Sequence, residues 1–209
     1  MSLEDAKTQV DLAFTRKDRR GLAFENAFGG ATSFLRRAYT KDIKSADLVV
    51  TGVPFDQAVT HRPGTRFGPR AIREASTLQP YDPPYGWDNF DPLGEFEIVD
   101  YGDMPFDYAN VASVPALIEA HIKTIINQGP ATVTLGGDHF ITLPILRAYA
   151  EKYGPMAVIQ FDAHSDLWAD DDMDRIDHGT FMYKAVKLGL ADVTRSVQIG
   201  MRTECDDYL

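Results

Sequence analysis

Cysteine is nearly absent from this chain. Cys205 is the single one, which rules out an intramolecular disulfide and a thiolate metal cluster; with no neighbouring partner for nucleophilic chemistry, it reads as structural. Positive charge is also scarce, with 21 Lys and Arg against 31 Asp and Glu and a net charge of −10. That balance argues against a nucleic-acid partner, because phosphate binding needs a clustered basic surplus. A negative field suits a cationic substrate, and it serves solubility equally well. No apolar run approaches the ~18–20 residues needed to span a bilayer. The N-terminal stretch MSLEDAKTQVDLAFTRKDRR lacks the apolar core of a secretory signal. These absences lead to the expectation of a cytoplasmic protein with no membrane partner.

The chain has 209 residues, 44% hydrophobic and 25% charged, enough for one domain with a substantial core. Residues 1–45 mix charge with Phe and Gly and read as an N-terminal arm with one short helix. From 46 to 209, short β-rich runs alternate with amphipathic segments. LVVTGV, EFEIVDYGD, ATVTL, MAVIQF and SVQIGM are strand candidates. Helices are expected at FGPRAIREAS, where Pro69 suits the first turn, and at ITLPILRAYAEKYG and GTFMYKAVKLG. The clearest helix runs from Val111 to Gln128, with Val114, Leu117, Ile118, His121, Ile122, Ile125 and Ile126 on one stripe and Gly129 as its stop. His121 on that stripe reads as a packed histidine rather than a ligand. Continuous apolar strands between helices predict an α/β fold: three layers, α/β/α, with a mainly parallel central sheet covered on both faces.

In open α/β sheets, ligands bind beyond the carboxyl ends of the strands, and that is where the polar residues cluster. After MAVIQF comes Asp162-Ala163-His164-Ser165-Asp166. In an extended chain the two Asp and the His would face one side, ~6–7 Å apart in succession, which could wrap one metal or bridge two. After ATVTL comes Gly136-Gly137-Asp138-His139, a tight turn presenting His139. Imidazole and carboxylate without thiolate suit manganese, iron or zinc. Any single residue of this kind is more often a cap or turn residue; the two blocks together are not readily explained that way. A third block, Asp177-His178-Gly179-Thr180, places His178 just before a helix. There it could move protons near the site, or simply bond the backbone.

LGGDHFITLP, QFDAHSDLW, VTGVPFD and RFGPRAIREAS resemble blocks of the ureohydrolase family of arginases and agmatinases, over roughly 45–209. DHGTFMYKAVKLGL and SVQIGMRTE resemble the agmatinase branch in particular. The resemblance implies two Mn2+ per complete subunit, held by His139, Asp162, His164 and Asp166. Asp162 would bridge, His139 and Asp166 would serve one ion, and His164 the other. Asp138 would orient the site from behind, and His178 would shuttle protons. The implied reaction is hydrolysis of a small cationic guanidino compound by a metal-bridging hydroxide, agmatine giving putrescine and urea. Guanidinobutyrate and arginine are the alternatives within the family, and deacetylation of an amine is a neighbouring chemistry. The resemblance also implies a homo-oligomer, trimer or hexamer.

One family block has no counterpart. The S-x-D-x-D-x-x-D-P strand that completes both metal spheres is absent, and Asp206 and Asp207 are adjacent, so a strand would aim them apart. The domain is therefore expected to be C-terminally incomplete, and a non-catalytic metal-binding homologue is a further alternative. Between Asp166 and His178 the loop carries Asp170, Asp171, Asp172, Asp174 and Asp177 against Arg175 alone. Such a loop either favours a free cation over a carboxylate-bearing substrate or is simply solvated. Arg62, Arg66, Arg70 and Arg73 could form a phosphate or carboxylate site, but pairing with the acidic surface or a neighbouring subunit is expected of them, and Trp168 either walls a pocket or packs.

Overall fold

In the computed structural model, the structure describes residues 28–30, 32–78, 86–88 and 90–203. Cys205, Asp206 and Asp207 lie outside them. The described residues divide into two compact units, one drawn from 1–54, 67–104 and 124–135, the other from 55–66, 105–123 and 136–209.

The first unit is built on four strands: β1 (Ala38–Tyr39), β2 (Leu48–Val53), β3 (Ile98–Asp103) and β4 (Ala131–Gly136). They lie in the order β1-β3-β2-β4, with β1 and β2 both parallel to β3. The stretch read as an N-terminal arm thus contributes β1 to this sheet. Val49, Val50 and Val53 of β2 are fully buried, as expected of an apolar strand flanked on both sides. A single helical turn, α2 (Pro92–Glu95), precedes β3, and the longer helix α1 (Gly68–Ser76) starts with Pro69 in its first turn, where the missing N–H costs nothing. It carries Arg73 inward.

Arg73 meets Asp100 of β3, a residue with no exposed surface. Its Nε and Nη2 donate to the two Asp100 oxygens at 2.7 and 3.0 Å, and Nη1 donates to Asp103 at 2.5 Å. Asp100 also accepts from the backbone N–H of Phe34 at 2.8 Å and of Gly102 at 2.9 Å. One carboxylate therefore ties α1, β3 and the chain before β1 together, and every lone-pair direction is used. Gly102 itself sits at φ 78°, and a Cβ there would fall on the Tyr39 ring.

The second unit contains α4 (Thr142–Tyr153), β5 (Ile159–Phe161), α5 (Phe181–Lys187) and β6 (Val197–Ile199). Helix α3 (Val114–Ile126) follows a 3-10 turn at Val111–Ser113 and buries Val114, Ile118, Ile122, Ile125 and Ile126. Leu117, expected on the same stripe, is 39% exposed and lies at the edge of the buried face. A core of Leu143, Phe181, Met182, Ala185 and Ala191 joins α4 to α5; each large side chain so buried contributes about 1.5–3 kcal/mol.

Strands β5 and β6 are parallel, with Ile159, Gln160 and Phe161 opposite Val197, Gln198 and Ile199. The α/β class with parallel strands is as expected. On these two strands Ile159, Phe161, Val197 and Ile199 are exposed, while Gln160 is buried. The polar side chains are the ones turned inward, because the adjoining loop requires amide partners. Among the described residues no helix is long and apolar enough to cross a membrane.

Replacing Asp100 by Asn leaves the Arg73 guanidinium without its buried counter-charge. The expected loss is about 3–5 kcal/mol, read as a lower midpoint in urea-induced unfolding.

Candidate metal centre

The site lies in the second unit, beyond β5. The ladder continues one residue past the strand, as the Asp162 N–H donates to the Ile199 carbonyl at 3.0 Å. Gly200 follows Ile199 at φ 97°, and a Cβ there would stand 3.1 Å from the Asp162 carbonyl, so only glycine fits without displacement. Simple alternation of Asp162, His164 and Asp166 along an extended chain does not occur. The backbone turns, and Asp166 adopts φ 52°. Its carbonyl then accepts the N–H groups of Met182 and Tyr183 at 3.1 and 3.2 Å, which satisfies donors in the first turn of α5.

That turn brings Asp166 to His139. The His139 Nδ1 is 2.7 Å from Asp166 Oδ2 and 3.2 Å from Asp162 Oδ2. Donor atoms of the three residues lie within 4.8 Å of one another. Asp162 divides its carboxylate, for Oδ1 turns the other way, 3.3 Å from His164 Nδ1 and 2.9 Å from the His164 N–H. His164 is 64% exposed at its side chain and touches the cluster through Asp162. The structure therefore brings together three of the four expected ligands, with the fourth, His164, beside Asp162.

Burial works against the Asp162 carboxylate, but the His164 N–H, the Gln160 amide and the His139 imidazole outweigh it and hold its carboxyl below the usual range. Ligand atoms around a first-row divalent ion at about 2.0–2.2 Å stand roughly 3–3.5 Å apart. The 3.2 Å spacing from His139 to Asp162 fits such an ion, the 2.7 Å spacing to Asp166 is that of a direct hydrogen bond, and imidazole with carboxylate is the donor set for manganese, iron or zinc.

His139 opens a 3-10 turn, His139–Ile141, whose N-cap is Asp138; the Asp138 carboxylate accepts from the Phe140 N–H at 2.9 Å. Phe181 of α5 packs on the His139 ring at 4.3 Å between centroids. Asp138 is itself buried, and burial pushes its carboxyl up against the pull of the Ala58 and Phe140 donors. His178 lines the same cavity of about 350 Å³ as His139, Asp162, His164 and Asp166, along with Thr60, Trp168 and Thr203. A Cβ on Gly179 would stand 3.1 Å from the Trp168 ring, so the indole walls this cavity by lying close against the backbone.

A model of the Arginase family matches residues 46–208. This chain belongs to the arginase family. It is 45% identical over 208 residues to an agmatinase of Chromobacterium violaceum, covering 99% of this chain and 64% of that one. A crystal structure of a hypothetical agmatinase from Burkholderia thailandensis superposes with a TM-score of 0.89 at 48% identity, over 94% of this chain and 62% of that one. Proclavaminate amidino hydrolase from Streptomyces clavuligerus follows at 0.79 and 32%, over 87% and 61%. The chain thus spans somewhat less than two thirds of the length of these relatives.

Several residues of this arginase-family site escaped the sequence reading. Gln160 and Gln198 form a cross-strand pair, with the Gln198 amide donating to Gln160 Oε1 at 2.7 Å and to the Ser165 carbonyl at 2.6 Å. The Gln160 amide nitrogen stands 3.3 Å from the His164 carbonyl and 3.4 Å from Asp166 Oδ2. An inward Gln in an otherwise apolar strand was the available signal. Ala58 and Thr60 had none, because their role depends on where a loop folds.

The acidic loop proves to be a structural device. Lys184 of α5, 1% exposed, meets Asp170 at 2.9 Å and donates to the Arg175 carbonyl at 2.8 Å. Tyr183 donates its hydroxyl to Asp171 at 2.9 Å, and Asp177 accepts the Gly179 N–H at 2.8 Å. None of Asp170, Asp171, Asp172, Asp174 and Asp177 lines the cavity. Two of the arginines pair with acidic groups, Arg66 with Asp56 and Arg73 with Asp100, but both carboxylates are buried rather than part of the acidic surface.

The Lys184 ammonium holds the Asp170 carboxyl below its usual range. A depressed folded-state pKa gives stability that is present above the unfolded value of about 3.9 and is lost as pH falls through the folded one. Lys184→Met is expected to cost about 3–5 kcal/mol at pH 7. Much of the difference from the parent protein should disappear in thermal melts as pH falls below the ordinary carboxylate value of about 3.9 and through the lower folded-state one.

Proposed function

We propose that the protein is a manganese-dependent hydrolase of a guanidino compound, with agmatine split into putrescine and urea. The observation that carries this reading is the divided carboxylate of Asp162, one oxygen toward His139 and the other toward His164. A bridging ligand between two ions needs that disposition. His139 and Asp166 would hold one manganese with Asp162, and His164 would hold the second with it.

When bound, such ions lower the pKa of water and supply the nucleophile at neutral pH. The chain's own residues do the rest. The Gln160–Gln198 pair keeps the ligand loop in shape, and Phe181 fixes the His139 ring. Water adds to the guanidinium carbon, the bond from that carbon to the alkyl nitrogen breaks, and urea and an amine separate. His178 carries the proton that the departing amine needs. The indole of Trp168 offers a face on which a cation can rest.

The choice of agmatine over guanidinobutyrate or arginine rests on the relatives called agmatinases, since the loop carboxylates do not line the cavity. One observation favours a different reading, a metal-binding homologue without turnover: among the described residues only Asp162 and His164 flank the second metal position. Metal stoichiometry separates the two. Two manganese ions per subunit with urea release support the hydrolase, and one ion or none without urea supports the other.

In the full-length protein, His139→Ala or Asp162→Ala is expected to abolish urea release from agmatine and to lower bound manganese measured by elemental analysis. Retention of either property would overturn the ligand assignment. His178→Asn keeps a donor where the ring's Nδ1 stands and removes the second nitrogen. It is expected to lower kcat by about 10²-fold or more while metal content stays intact; loss of metal in that variant would make His178 a ligand instead.

A further inference from the structure

Residues Phe55 to Arg66 form a loop closed by two carboxylates. Asp56 takes the N–H groups of Gly64 and Arg66 on Oδ2 at 2.7 and 3.2 Å, and the Arg66 Nε–H on Oδ1 at 2.7 Å. The Arg66 guanidinium holds the Asp56 carboxyl below its usual range, so this closure stays ionised at neutral pH. At the loop's start, Asp138 accepts the Ala58 N–H on Oδ2 at 2.9 Å, and its own N–H donates to the Phe55 carbonyl at 2.7 Å. The Phe55 ring is buried against Phe106 and Phe140, at 6.1 and 5.8 Å between centroids. The first turn of the loop therefore has no freedom to drift.

The held residue is the one that meets His178. Its Nδ1 stands 2.5 Å from the Ala58 carbonyl oxygen. A carbonyl has no proton to give, so the ring nitrogen facing it must carry the N–H. A neutral imidazole carries a single N–H, which leaves Nε2 as a bare acceptor. The proton-accepting nitrogen is thus chosen by a backbone carbonyl, and that carbonyl's place is set by Asp138.

We propose that Asp138 is a positioning residue for two histidines at once, orienting His139 through the turn it caps and His178 through the Ala58 backbone. One carboxylate does this because it has two acceptor oxygens and no hydrogens. Oδ1 holds the Phe140 N–H and Oδ2 holds the Ala58 N–H. An Asn of the same size offers a single oxygen, and its amide hydrogens would oppose one of the two N–H groups. The inference rests on the reading of His178 as the proton carrier, and it ties the metal side of the site to the proton side.

Neutron diffraction from crystals of the manganese-loaded protein reads the tautomer directly, independent of any substrate. The expected result is a deuteron on His178 Nδ1, directed at Ala58. A deuteron on Nε2 alone overturns the proposal, whatever the protein hydrolyses. Asp138→Asn is then compared with His178→Asn and the double variant, by kcat and by bound manganese. The single Asp138→Asn change is expected to lower kcat at least about tenfold and keep most of the metal. The double variant should be within about twofold of His178→Asn alone, the non-additivity of residues acting through one another. Additive losses, or loss of metal in Asp138→Asn with no displacement of the His178 ring, would confine Asp138 to His139 and overturn the shared role. If the deuteron is on Nδ1 but no urea forms from agmatine, the positioning stands and the substrate reading is the part that fails.

Discussion

Two carboxylates and an imidazole converge at the end of β5, with the donor atoms of Asp162, Asp166 and His139 within 4.8 Å of one another. Like charges at that distance repel, and a fold pays for the arrangement only when something holds each group in place. Here each is held through its backbone. The Asp162 N–H stays in the ladder with β6, the Asp166 carbonyl caps α5, and the turn carrying His139 is capped by Asp138. The positive φ of Asp166 is the cost of reaching both α5 and His139 from one residue.

The rest of the second unit follows from that requirement. Strands β5 and β6 turn glutamines inward where apolar residues would pack better, since the loop between Asp162 and Asp166 needs amide donors on its inner side. Helix α5 is short, yet it carries Phe181 against His139, receives Asp166 at its first turn, and sends Lys184 and Tyr183 out to the acidic loop. That loop leads into Asp177 and His178, so anchoring it also anchors His178 at the cavity wall. The first unit uses the same economy elsewhere: Asp100 serves Arg73, Phe34 and Gly102 together.

Membership of the arginase family agrees with the donor set and the parallel strands. The β-rich runs LVVTGV and ATVTL became β2 and β4 almost residue for residue, and α4 and α5 lie within the segments expected to be helical. MAVIQF and SVQIGM yielded only three paired residues each. Their ends fray into the ligand loop and the turn at Gly200, where side-chain demands replace ladder bonds.

The candidate metal-ligating residues were legible in the sequence because they sit close together along the chain, as His139 after a Gly pair and as Asp162, His164 and Asp166 after an apolar run. Residue type and short spacing survive folding, so those features carry through. Which way Asp166 turns, which carbonyl His178 Nδ1 faces, and whether the acidic loop turns to the cavity or to Lys184 were decided only in three dimensions. Each depends on a partner distant in sequence: His139 for Asp166, Ala58 for His178, Lys184 for Asp170. A pattern of residue types says which groups can bond, and only the folded backbone brings a particular carbonyl within reach of a particular ring.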